Sequence, residues 1–162
     1  VPDGLGTGRS RRAWGSSGAA FHYVSASPWQ LYVPLADFLR THRFPEGSMH
    51  LKKFRWKDRT AFSPFGGQEG YKRGVILPLL LAFPARRFVL VGDSGEQDPE
   101  IFGALAREYP DRVAAVLIRD VTGAGRGAAR YDKAFAGLEP ECWKVFKSPS
   151  ELPAGVGELL QR

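Results

Sequence analysis

Two uninterrupted apolar runs, Phe88 to Val91 ("FVLV") and Val113 to Ile118 ("VAAVLI"), constrain the fold of this chain more than any other feature. A strand with one face in water alternates apolar and polar residues, whereas a strand buried on both faces does not. Between the runs, Pro99 to Tyr109 places Ile101, Phe102, Leu105 and Ala106 at helical spacing, with proline at its start. Two doubly buried strands joined by a helix read as a parallel pair with a crossover, hence an α/β sheet covered on both faces.

The rest of the chain extends this alternation. Phe21 to Ser25 ("FHYVS") reads as a strand. Ser27, Pro28 and Gln30 spell a capping box, so a helix is expected to start there and to run to about Thr41. Trp29, Leu31, Tyr32, Leu35, Phe38 and Leu39 would give it an apolar face. Ser48 to Trp56 reads as a further strand, Arg59 to Gly70 as loop, and Tyr71 to Phe83 as a helix distorted by Pro78. Gly123 to Arg130 reads as loop, Cys142 to Phe146 as a last strand, and Glu151 to Gln161 as a terminal helix. The segment 1–20 is rich in Gly, Ser and Arg and reads as loop. One domain over residues 21–162 is expected, a length that can bury a core.

Bulk composition narrows the partners. The net charge of +6 favours anionic ones. With Cys142 as the one cysteine, no internal disulfide can form. The longest apolar run, Val75 to Phe83, holds Pro78 and is too short to span a bilayer, and the N-terminus lacks the apolar core of a signal peptide. A cytoplasmic setting is expected. From Arg40 to Arg59, seven basic residues face two acids, and Lys52, Lys53, Arg55 and Lys57 alternate with Phe54 and Trp56. Such a stretch suits an anionic membrane face or nucleic acid, and equally a solvated strand with one apolar side.

In parallel sheets ligands bind outside the carboxyl ends of the strands, where Ser25, Asp93 and Asp120 fall. The segment 92–98, "GDSGEQD", gathers carboxylates at such a strand end. Hard oxygen ligands suit Mg²⁺, although an ordinary turn with Asp98 as N-cap accounts for the same letters. Ser25 and Ser27 flank the expected helix N-terminus, where free N–H groups bind phosphate. Lys72 opens the expected second helix, an awkward place for a cation unless it faces an anion. Asp120, next to Arg119, reads as structural, and His22, His42 and His50 show no metal-ligand spacing.

A strand ending in Ser25, then Lys72, then a GDxxxxD segment resemble the second, third and fourth motifs of the haloacid dehalogenase superfamily. "FHYVSASPWQLY" and "FVLVGDSGEQDPE" more narrowly resemble phosphatidate phosphatases of the actin patch protein type, over roughly Arg12 to Phe146. The resemblance implies a three-layer sandwich with a mostly parallel sheet. It implies Mg²⁺-dependent hydrolysis of phosphatidate or a similar phosphomonoester through an aspartyl-phosphate. It makes Ser25 and Lys72 catalytic, has Ser25, Ser27 and Lys72 bind the phosphoryl group, and makes Asp93 and Asp98 metal-site residues, with Asp98 supporting either the metal or Lys72.

One motif of that superfamily is not found. Its DxDx[TV] signature supplies the nucleophile on a strand that precedes the serine motif, yet no aspartate here has another two residues on. The expectation is therefore a partial domain: residues 1–20 a remnant of an upstream region, the first, nucleophile-bearing strand missing, and the chain inactive as given. The alternative is a non-catalytic module that binds phosphate or anionic lipid. A phospholipid or phosphomonoester is the expected ligand. Peripheral membrane contact through Lys52, Lys53, Arg55 and Lys57 is a further expectation, and nucleic acid is not expected.

Overall fold

The fold is taken from a computed structural model that describes residues 18–53, 68–153 and 157–160. Its strands are β1 (Phe21–Pro28), β2 (Gly47–Lys52), β3 (Phe88–Asp93), β4 (Val113–Arg119) and β5 (Trp143–Phe146). Its helices are α1 (Tyr32–Thr41), α2 (Gln68–Ala82), α3 (Asp98–Glu108), α4 (Ala129–Ala134) and α5 (Gly157–Leu160). Every strand pairing is parallel: β1 with β2 in one sheet, and β3, β4 and β5 in that order in another. The chain is thus an α/β protein with parallel sheets, as the two apolar runs require.

The two sheets share their packing layers. Strand residues alternate faces, so Val116 and Ile118 of β4 look one way and Ala115 and Leu117 the other. The first face is covered by α2, α3 and α4, through Ile76, Leu80, Ile101, Leu105 and Tyr131. The second packs against Leu159 of α5 and Phe146. From β1, Val24 packs into the first cluster and Phe21 into the second. Among the described residues β1 and β3 do not pair with each other, although the core runs past both.

Local chemistry ends the elements. Arg112, at the start of β4, donates to the carbonyl oxygens of Leu80 (2.8 Å), Phe83 and Pro84 and so satisfies the open C-terminal end of α2. Asp98 and Glu100 place negative charge in the first turn of α3, where the helix dipole favours it.

Several expectations change. No capping box forms at Ser27: β1 continues to Pro28, which pairs with Lys52, and Trp29–Leu31 form one 3-10 turn before α1. The ladder bonds of β1 outweigh the local cap. Residues 29–33 consequently do not face the core: Trp29, Leu31, Tyr32 and Val33 are exposed, while Phe38 packs near Phe44. Helix α2 includes Gln68, so Lys72 lies in the helix interior and does not open it. Residues 129–134 form α4, whose first two residues fall in the loop expected over Gly123 to Arg130. Among the described residues, the expected terminal helix is represented by a 3-10 turn at Pro149–Glu151 and by α5. The strand expected over Ser48 to Trp56 is β2 as far as Lys52; Arg55, Lys57 and most of the Arg59 to Gly70 loop lie outside the described residues.

Candidate functional site

The carboxyl ends of β3, β4 and β5 are in register, with Asp93 opposite Arg119 and Arg119 opposite Phe146. Gly92, next to last in β3, creates space. A Cβ at position 92 would stand 2.7 Å from Asp98 Cγ, so only glycine lets the Asp98 carboxylate tuck beneath the strand end. From there Asp98 Oδ2 accepts the backbone N–H of Asp93 (3.2 Å), and Asp98 Oδ1 accepts from Lys72 Nζ.

Lys72 reaches this point from the interior of α2, which packs against both β1 and α3. Its Nζ also donates to Glu96 Oε2 at 2.8 Å. Burial by itself would lower the Lys72 pKa; the hydrogen bonds to Asp98 and Glu96, with their charges, outweigh it and hold the ammonium above the ordinary lysine range. Burial holds the Asp98 carboxyl above its ordinary range, only partly offset by Lys72 and the Asp93 N–H. An ammonium carries three N–H donors. Two are engaged among the described residues, which leaves one for an incoming anion.

Asp93 is held differently. Its Oδ1 accepts the Gly95 N–H at 2.8 Å, and among the described residues no hydrogen bond reaches Oδ2. One ordered carboxylate with an open oxygen fits Mg²⁺, which usually takes one or two protein carboxylates and completes its shell with water and phosphate. Asp98, with both oxygens engaged, fits the role of supporting Lys72 and the Asp93 backbone. Among the described residues no group of three or more His, Cys, Asp or Glu is arranged to hold a metal ion.

The neighbouring loop is fixed by two groups outside the expected site. Ser94 Oγ accepts the N–H groups of Val121 (3.0 Å) and Thr122 (3.2 Å) and lies 3.4 Å from Asp120 Oδ1. Asp120 accepts from Gly123 N and Gly125 N, each at 2.8 Å, and from the Thr122 hydroxyl at 3.2 Å. Burial would raise its carboxyl; these bonds outweigh it and hold the pKa below the ordinary aspartate value. The structural role expected for Asp120 is what this geometry displays. Arg130 of α4 donates to Ser94 O (2.6 Å) and Glu96 O, and forks onto both oxygens of Glu100 at 2.7 and 2.8 Å.

Of the expected site residues, Lys72, Asp93 and Asp98 form one hydrogen-bonded cluster. Among the described residues no hydrogen bond joins Ser25 or Ser27, at the carboxyl end of β1, to that cluster. The Ser25 hydroxyl donates to Ser27 Oγ (2.9 Å) and accepts the Ser27 N–H (3.2 Å). With α1 starting at Tyr32, the helix N–H groups expected beside Ser27 lie further along the chain. Glu96 and Arg130 were not among the expected residues. Glu96 was visible as one acid of an acidic segment, but nothing in the sequence marks Arg130, which a separate helix brings into place.

Comparison with known proteins gives one family and two relatives. Residues 9–120, more than half of the chain, match the family described as phosphatidate phosphatase APP1, catalytic domain. An uncharacterized protein of Schizosaccharomyces pombe is 35% identical over 104 residues, 64% of this chain and 17% of that protein. Phosphatidate phosphatase APP1 of Saccharomyces cerevisiae is 33% identical over 99 residues, 61% of this chain and 16% of that protein. The match thus spans about a sixth of either relative. No solved structure matches. Ser25, Ser27, Lys72, Asp93 and Asp98 all lie inside the family match, and Arg130 lies beyond it.

Proposed function

Because this chain belongs to the family of phosphatidate phosphatase APP1 catalytic domains, we propose that it provides the phosphate-binding side of a Mg²⁺-dependent phosphatase acting on phosphatidate or a similar phosphomonoester. The observation that carries this is the buried Lys72 ammonium, held by Glu96 and Asp98 beside Asp93 at the carboxyl edge of a parallel sheet. A fixed cation in a water-poor site stabilises charge on phosphoryl oxygens at little reorganisation cost. The parallel sheets and their helical layers support a haloacid dehalogenase-like sandwich.

In this scheme Lys72 neutralises a phosphoryl oxygen and Asp98 keeps the ammonium in place. Ser25, seconded by Ser27, donates a hydrogen bond to the phosphoryl group from the end of β1. Mg²⁺ would be held by Asp93 and, when bound, would neutralise further charge on the phosphoryl oxygens. The nucleophile of an aspartyl-phosphate mechanism is not in this cluster, and the chain has no paired aspartates. As given it is expected to bind phosphate without releasing it from an ester. That same lack of paired aspartates favours a second reading, a module that binds phosphate or anionic lipid without catalysis.

Titration calorimetry with inorganic phosphate and Mg²⁺ tests the site. Binding that weakens roughly tenfold or more in Lys72→Met and Asp93→Asn is expected for a charge-assisted pocket. Equal binding by these variants overturns the assignment. Phosphate release from phosphatidate that disappears in Asp93→Ala would instead show that the chain is catalytic by itself.

A further inference from the structure

Residues 29–33 carry the most conspicuous unabsorbed feature. Trp29, Leu31, Tyr32 and Val33 are 55%, 44%, 52% and 66% exposed, and α1 buries none of its residues fully. Scattered exposed apolar residues are ordinary, but a contiguous group marks a surface that meets something. This group occupies the 3-10 turn and first helical turn directly after β1, a few residues beyond Ser25.

What lies beside it indicates the partner. Pro28, the residue before Trp29, is the register partner of Lys52, and Lys53 follows on the surface. An apolar, aromatic corner is thus flanked by cations, on a chain of net charge +6. Tryptophan and tyrosine, amphipathic rings with one polar atom, favour the headgroup level of a bilayer. A short element with an apolar face and neighbouring lysines suits the plane of an anionic lipid surface.

We propose that the Trp29–Val33 corner inserts into an anionic phospholipid bilayer, with Lys52 and Lys53 against the headgroups, so that the carboxyl end of β1, which bears Ser25, faces the lipid surface. This rests on the phosphatase reading for the headgroup as ligand, but the docking itself is separately measurable. The corner was expected to cover the core, and the structure leaves it exposed.

The experiment is co-sedimentation of the full chain with phosphatidylcholine vesicles that contain phosphatidate or phosphatidylserine, and with pure phosphatidylcholine. The expected result is binding to the anionic vesicles, reduced about tenfold or more in Trp29→Ala/Tyr32→Ala and in Val33→Asp, since affinity scales with buried apolar area. Bromine-labelled acyl chains should quench tryptophan emission of the wild type more than that of Trp29→Phe. Unchanged vesicle binding by both surface variants, with circular dichroism showing them folded, overturns the proposal. So does a dimer in sedimentation velocity that Val33→Asp dissolves, because the corner would then be a contact between copies. Lys72→Met keeps the two ideas apart: phosphate binding lost in this variant with vesicle binding retained supports both, whereas wild-type protein that binds vesicles but no phosphate sinks only the phosphatase reading, and wild-type protein that binds phosphate but no vesicles sinks only this one.

Discussion

Lys72 and Asp98 are ion-paired inside the protein, their side chains 9% and 6% exposed. Removing one member of such a pair strands the other in a poorly solvating place. Lys72→Met is expected to cost about 3–5 kcal/mol in denaturant unfolding, the usual effect of breaking a buried pair. Its pH dependence has a definite sign. Without the ammonium, burial drives the Asp98 pKa, already raised, further up. A carboxyl raised by folding contributes stability that is complete below its unfolded pKa and fades as pH rises through the folded one. Lys72→Met should therefore be closest to wild type in acid and furthest from it at neutral pH. In the wild type Lys72 is itself raised, so its stabilisation should hold to high pH and fade only above the ordinary lysine pKa. Melts across pH check both limbs.

Gly92 is the geometric condition for that pair. Gly92→Ala would drive a methyl group into the Asp98 carboxylate. Neighbouring backbone and a buried side chain cannot yield cheaply, so a loss of about 1–3 kcal/mol is expected from overpacking. The same variant should release Lys72 from Asp98, which isotope-edited NMR of the lysine side chain would report as faster solvent exchange. A stable variant with an unchanged Lys72 signal would contradict this arrangement.

Arg130 makes its contacts as a fork, two N–H groups to the Glu100 carboxylate and others to the carbonyls of Ser94 and Glu96. Lysine cannot reproduce that plane of donors. Arg130→Lys is expected to speed amide exchange in the 94–97 loop roughly tenfold, with little change in β4, because local openings are governed by local contacts. The Arg130 hydrogen bond is also the main reason Glu100 titrates below its ordinary value. A depressed carboxyl stabilises above its unfolded pKa and loses that contribution as pH falls through the folded one. The difference between Arg130→Lys and wild type should accordingly shrink on acidification.

How much of this was legible in the sequence varies with the range of the forces involved. Strands β3 and β4 were readable because double burial writes itself as an unbroken apolar run, and their ends fell within two residues. The corner at 27–33 departs from the expected cap because Ser27, Pro28 and Gln30 satisfy a local rule, while pairing with Lys52, distant in sequence, carries β1 on to Pro28. Helix α4 was missed because its stability comes from packing on α3, where Tyr131 and Ala134 are buried, and little periodic pattern announces it. Lys72, Asp93 and Asp98 could be picked out by type and order. That Glu96 shares Lys72 and that Arg130 holds the loop depends on which elements the fold brings together, and single residues do not encode it.

Asp120 is the remaining buried acid whose effect can be isolated. Its carboxylate accepts from Gly123 N, Gly125 N and the Thr122 hydroxyl, and it approaches Ser94 Oγ, so it ties the loop after β4 to the loop after β3. Asp120→Ala leaves those donors without their acceptor and should cost about 1.5–3 kcal/mol, the range for hydrogen bonds to a charged group. Folding depresses this pKa despite burial, so its contribution is present above the ordinary aspartate value and disappears as pH falls through the folded one. Wild type and Asp120→Ala should therefore differ most near neutrality and converge in acid. Asp120→Asn, which keeps one acceptor but turns an NH₂ toward backbone donors, should lie between them, with phosphate affinity at Lys72 falling less than stability does. If all three proteins melt alike at neutral pH, Asp120 does not join the two loops.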